Sequence, residues 1–128
     1  MIEKRILRTD RVRVPPREGF SWVDRRFLKE QASHLSHDAV LLYFFLAAVS
    51  DRHGLSYWKD ESAAARIKVS AARVVRAREE LLVRDLVVYE PPLTQVLSHP
   101  ERAVRPQGGE PTNVGEILAR IVGRRLGD

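Results

Sequence analysis

Residues 62–81 read SAAARIKVSAARVVRAREEL, and how this stretch divides decides the fold. Ser70 is a strong helix N-cap because its hydroxyl can accept from a backbone N–H of the first turn. It opens a predicted helix from Ala71 to about Arg84. Asp60 is placed to cap a smaller helix from Glu61 to about Ile67. The two helices are separated by only Lys68, Val69 and Ser70, so the chain must turn tightly between them.

The second helix sorts its own faces. At about 100° per residue, with Val74 at zero, Ala77 falls near about −60° and Leu81 near about −20°. These three face a core. Arg76 falls near about 200° and Ala72 near about 160°, on the opposite side, with Arg73 near about −100° on a flank. The outward face of the first turns is therefore Ala72, Arg73 and Arg76, with Glu79 one turn further.

Working outward, Val87-Val88-Tyr89 and Gln95-Val96-Leu97 are two short apolar runs joined by Glu90-Pro91-Pro92-Leu93-Thr94. They predict a hairpin with a proline-stiffened tip. On the other side lies LSHDAVLLYFFLAAVSDRHG, residues 35–54. Ser36 can N-cap it, Asp38 suits its first turn, and its apolar run predicts a central buried helix. Gly54 is placed to end that helix as a left-handed residue. Leu55-Ser56-Tyr57 then predicts a short strand. Phe20 to Leu35 predicts a short first helix with Trp22, Val23, Phe27 and Leu28 on its apolar side.

The ends differ from the body. Residues 1–18 carry six cations and three anions and form a basic arm. Within it Arg11-Val12-Arg13-Val14 alternates as an edge strand would, and Pro15-Pro16 stops it. Residues 100–112, PERAVRPQGGEPT, predict a linker. In residues 113–128, Asn113 and Glu116 form a capping-box-like pair. Val114, Ile117, Leu118, Ile121 and Val122 then make one apolar stripe. A helix of about ten residues is marginal alone in water, so residues 114–126 are expected to dock on their own domain, a second copy or another protein.

The expected fold class is mainly α with a small β-hairpin. In order it is helix, short strand, short helix, tight turn, longer basic helix, hairpin. On these residues, 36–99 resemble a winged helix-turn-helix domain, of the type seen in plasmid and phage replication proteins and small mobile-element proteins. The matching stretches are LSHDAVLLYFFLAAVSDRHGLSYW for the buried helix and first strand, SAAARIKVSAARVVRAREEL for the two motif helices, and LVVYEPPLTQVLSH for the wing. Residues 1–18 are the expected arm and residues 19–99 the expected winged domain. The resemblance implies glycine where this chain has Lys68, and a basic wing tip where this chain has one Glu and no Lys or Arg.

The charge pattern points the same way. Residues 65–78 hold five cations (Arg66, Lys68, Arg73, Arg76, Arg78) and no carboxylate, against 22 Lys+Arg and 17 Asp+Glu in the whole chain. In helix-turn-helix docking the start of the second helix meets base edges. Ala71 and Ala72 are small enough to let that helix sit deep. Arg73 and Arg76 have the reach for guanine N7 and O6. Arg66, Lys68 and Arg78 suit phosphates, and the Ser70 end offers free backbone N–H groups. The competing expectation is a solvated helix face, with Arg76 paired to Glu79 or Glu80.

Other chemistry is not written here. There are no cysteines, which excludes disulfides, thiolate catalysis and Cys-ligated zinc. His34, His37, His53 and His99 form no metal-binding motif, and no phosphate-cradling glycine loop or nucleophile elbow occurs. No catalytic residue, metal or cofactor is expected. The first residues are charged with no apolar core, so no secretory leader is expected, and the eleven-residue apolar run 39–49 is too short for a bilayer. The expectation is a cytoplasmic protein that binds double-stranded DNA through helix 71–84, in transcriptional regulation or in mobile-element or plasmid replication. Two rivals stand beside it. One is a winged protein-interaction module without strong DNA binding. The other is single-strand binding by stacking on Tyr57 and Trp58.

Overall fold

The computed structural model describes residues 2–101. The expected linker beyond Glu101 and the expected C-terminal helix lie outside the described residues. Within them the chain is mainly helical, with a small three-stranded antiparallel sheet.

Helix α1 spans His37–Val49. The Ser36 hydroxyl accepts from the Ala39 N–H at 3.2 Å, the capping bond its position predicted. Ala39, Leu42, Tyr43, Leu46 and Ala47 are buried at a spacing of three and four, and Val40, Phe44 and Phe45 pack beside them. The helix is therefore buried around most of its girth and acts as the central post. It ends at Ser50, not at Gly54. Gly54 is left-handed (φ 83°) but serves the turn that follows, closed by its N–H to the Asp51 carbonyl. A side chain there would strike the Val96 carbonyl, so the glycine allows β1 to enter the sheet.

Strand β1 (Leu55–Tyr57) leads to α2 (Asp60–Ile67) and α3 (Ala71–Val83), and β2 (Val87–Glu90) and β3 (Leu93–Val96) follow. The strand order is β1-β3-β2. Tyr57 lies opposite Leu93 and Leu93 opposite Glu90; one row further in, Ser56, Thr94 and Tyr89 align. The hairpin turns on Pro91–Pro92 alone, tighter than the five-residue tip the sequence implied, because Glu90 and Leu93 already pair. Helix α2 begins at Asp60 and has Lys59 as its N-cap residue, so Asp60 belongs to the first turn and is not the cap.

The core gathers α1, α2, α3 and the inner side of the sheet around Leu42, Val74, Ala77, Leu81, Leu86 and Val87. The stripe Val74, Ala77 and Leu81 is buried to within 1%, as its spacing predicted. Phe27 completes the core by stacking on Tyr43, ring centroids 3.9 Å apart.

Toward the N-terminus one expectation holds in a changed form and one fails. The short helical segment expected within residues 20–35 is present at residues 25–34, but not as a regular α-helix. A π-helical turn, Phe27–Gln31, and a 3-10 turn, Ala32–His34, stand there. The Ala32 N–H donates to the Phe27 carbonyl, widening the turn so that Phe27 and Gln31 are both buried. Trp22 and Leu28, assigned to the apolar side, are left exposed. The strand expected at residues 11–14 does not form. Arg8 folds onto Asp10 and a 3-10 turn occupies Thr9–Arg11. Val12 has extended angles, but no neighbouring backbone pairs with it, and alternation without a partner is not a strand.

Candidate nucleic-acid interface

The site is built on the start of α3. Ser70 caps the helix: its hydroxyl accepts from the Arg73 N–H at 3.2 Å. Helix geometry leaves the N–H groups of Ala71 and Ala72 without intrahelical acceptors. Ala71 is half-buried against the core, whereas Ala72 is exposed. The connecting turn keeps the shape a glycine would give it. Lys68 takes φ 62° and ψ 45°, and its N–H closes α2 on the Ala64 carbonyl. Its side chain is exposed and makes no ion pair among the described residues.

The five cations separate into four kinds. Arg76 and Lys68 are exposed, with no carboxylate of the described residues bonded to them. Arg66 lies over the Trp58 ring, 5.3 Å from its centroid, at the end of α2. Arg78 is drawn inward. It pairs with Asp60, lies 3.9 Å over the Tyr89 ring, and has a side chain only 11% exposed. It ties α3 to α2 and β2, so the phosphate contact expected of it is not available in this arrangement. The reason is position: one residue past the buried Ala77, its long stem is carried along the core edge.

Arg73 is held by a carboxylate the sequence gave no reason to connect with it. Its Nε donates to one Asp38 oxygen at 2.7 Å and its Nη2 to the other at 2.6 Å. The guanidinium beside Asp38 holds that carboxyl below its ordinary range, with Arg76 and His37 adding to the effect, and the Arg73 value rises in turn. Two turns along α3, Glu80 accepts from the Ser36 N–H at 2.8 Å and from its hydroxyl at 2.5 Å. Arg73 and Glu80 thus clamp α3 to the first turn of α1. Neither pairing expected of Arg76, with Glu79 or with Glu80, occurs among the described residues, and Glu80 is engaged by Ser36 instead.

Sequence reasoning missed Asp38, Glu80 and Gln31, which accepts from the Arg84 Nε at 2.9 Å. Their partners lie 35, 44 and 53 residues away, beyond any local spacing rule. The one usable signal was Arg73's place on the flank of the helix, where a neighbouring element reaches.

No family model matches this chain, and neither does any curated protein or solved structure. The site therefore stands on its own geometry. Around it, the outer face of the sheet is of a different character. Tyr57 and Leu93 are exposed beside Glu90, Pro91 and Pro92, with no cation among them. Tyr57 and Trp58 do not form a joint platform: Trp58 meets Phe45 edge-on at 5.0 Å and carries Arg66 on its ring, while Tyr57 alone is open. Among the described residues no helix is long and apolar enough to cross a membrane, and no group of three or more His, Asp or Glu side chains gathers as metal ligands would.

Proposed function

We propose that this chain is a winged helix-turn-helix protein that binds double-stranded DNA, with α3 entering the major groove. The observation that carries the reading is the outward face of the first two turns of α3. Small Ala72 and unpaired Arg76 stand there, with Lys68 on the adjoining turn, and nearby carboxylates Asp38 and Glu80 are already satisfied by Arg73 and Ser36. A small, cationic helix start with unsatisfied N–H groups suits a groove walled by phosphates. Ser70, Ala71 and Ala72 would approach the backbone and bases. Arg66 and Lys68 would contact phosphate, and Arg73 and Arg76 would reach base edges. Transcriptional control and plasmid or mobile-element replication, in the cytoplasm, are the settings such a domain serves. The reading assigns no catalytic step.

Replacing Arg76 by Ala is expected to weaken binding at a specific site by about 1–3 kcal/mol. Lys68→Ala should weaken all duplexes alike and lower the salt slope by roughly 0.9. Both are read by fluorescence anisotropy. Equal affinity of both variants and the wild type for every duplex would sink the assignment.

A second reading draws on the sheet. The cation-free outer face with exposed Tyr57 and Leu93 suits a protein partner more than DNA. This reading takes the apolar stripe of residues 114–128 as a partner surface alongside the sheet, so a chain lacking them would lose dimerisation or partner binding. It would keep duplex affinity under the first.

A further inference from the structure

The Asp38–Arg73 pair divides the guanidinium in a way that bears on what α3 reads. Arginine has five N–H donors in a planar fork. Asp38 takes the Nε hydrogen and one Nη2 hydrogen, the side edge of the group. The end edge remains: both Nη1 hydrogens and the second Nη2 hydrogen. The Arg73 side chain is still 47% exposed although bonded twice, whereas Asp38 is 24% exposed. The carboxylate is the less exposed of the two, and no described residue bonds to the arginine's unused edge.

An end-on pair of parallel N–H donors is the group that matches guanine O6 and N7. We propose that Asp38 is a positioning residue that fixes the Arg73 fork for bidentate recognition of one guanine, so that Arg73 supplies specificity at that base pair while Lys68 supplies phosphate affinity. This rests on the DNA-binding reading above. The physical logic is entropic and electrostatic. A free arginine loses side-chain freedom when it docks on a base; one held at two points has already lost it. The paired carboxylate also cancels most of the arginine's charge. Arg73 therefore gains little from phosphates and retains its directional hydrogen bonds. A guanidinium held in a plane discriminates against a base that lacks paired acceptors, as adenine does by presenting N7 beside an amino donor.

The opposite account makes Asp38 a competitor that must release Arg73 before DNA can bind. The two accounts differ in sign. The test begins with selection of bound duplexes from a random pool by the 128-residue wild type, then anisotropy on the selected site and its single-base-pair variants. The proposal expects Arg73→Ala to lose preference at one G·C pair. Asp38→Ala should lower discrimination at that same pair on the order of tenfold or more, leaving other positions and the salt slope unchanged. Asp38→Ala added to Arg73→Ala should do nothing further. Asp38→Asn, which keeps the side chain's size at the start of α1, should give a smaller loss at the same position, and thermal melts of each variant confirm that it is folded. Tighter binding of all duplexes by Asp38→Ala, with discrimination intact, would overturn the proposal in favour of competition. So would unchanged affinity and discrimination. If the wild type selects no duplex at all, the DNA-binding reading itself fails, a result distinct from both.

Discussion

Lys68 shows how a side chain can be in a glycine's place without changing the turn. Its left-handed angles are those the connection between α2 and α3 requires, and the cost of a Cβ there is roughly 1 kcal/mol. Lys68→Gly is therefore expected to raise stability by up to about 1 kcal/mol, less the extra freedom glycine has unfolded. A urea midpoint below that of the wild type would contradict this. That the chain keeps a strained cation here is consistent with a use for its charge. The same residue marks what was legible. Val74, Ala77 and Leu81 were readable because periodicity alone fixes an inward face. The fates of Arg73 and Arg78 were not, because each depends on a carboxylate brought from another helix.

Helices α1 and α3 were both visible in the sequence, with their Ser36 and Ser70 caps, because caps and apolar stripes are local. The helical segment before α1 was visible too, but its widened turn was not, since that depends on what Phe27 and Gln31 meet on Tyr43 and Arg84. The edge strand failed for the same kind of reason: pairing is a property of two segments. The joints between elements have a pH signature. Asp24 beside Arg26, Asp38 beside Arg73, and Asp51 accepting from the Leu55 and His53 N–H groups all have carboxyls held below their ordinary values. Each therefore binds its proton more weakly folded than unfolded. Their contribution is complete above about pH 4 and is lost as acid titrates the lowered folded values. Melting temperatures should fall between about pH 4 and about pH 2, and Asp38→Asn should flatten part of that fall. An unchanged melting temperature over that range would count against these joints. At the sheet, Gly54→Ala should destabilise by at least about 1 kcal/mol, from the left-handed angle and the collision with Val96 together. A melt equal to wild type would show that β1 enters the sheet otherwise.

Taken whole, the described molecule has two unlike surfaces. One is the small, cationic start of α3 with its turn, braced against α1 by Arg73 and Glu80. The other is the apolar outer side of the sheet with its proline tip. The exposed arm of residues 2–18 carries further cations. The fold class was legible because its element order is written in caps, stripes and turn residues. The candidate interface was legible only as a region, and the separate fates of its arginines came from tertiary contacts. The account's central claim is that the first surface binds duplex DNA. Its most direct test is a fluorescence-anisotropy titration of the 128-residue chain against a random-sequence duplex at low salt, repeated as salt rises. The account predicts saturable binding whose log K falls linearly with log salt by about 0.9 for each phosphate contacted. No binding of duplex at low salt would contradict it.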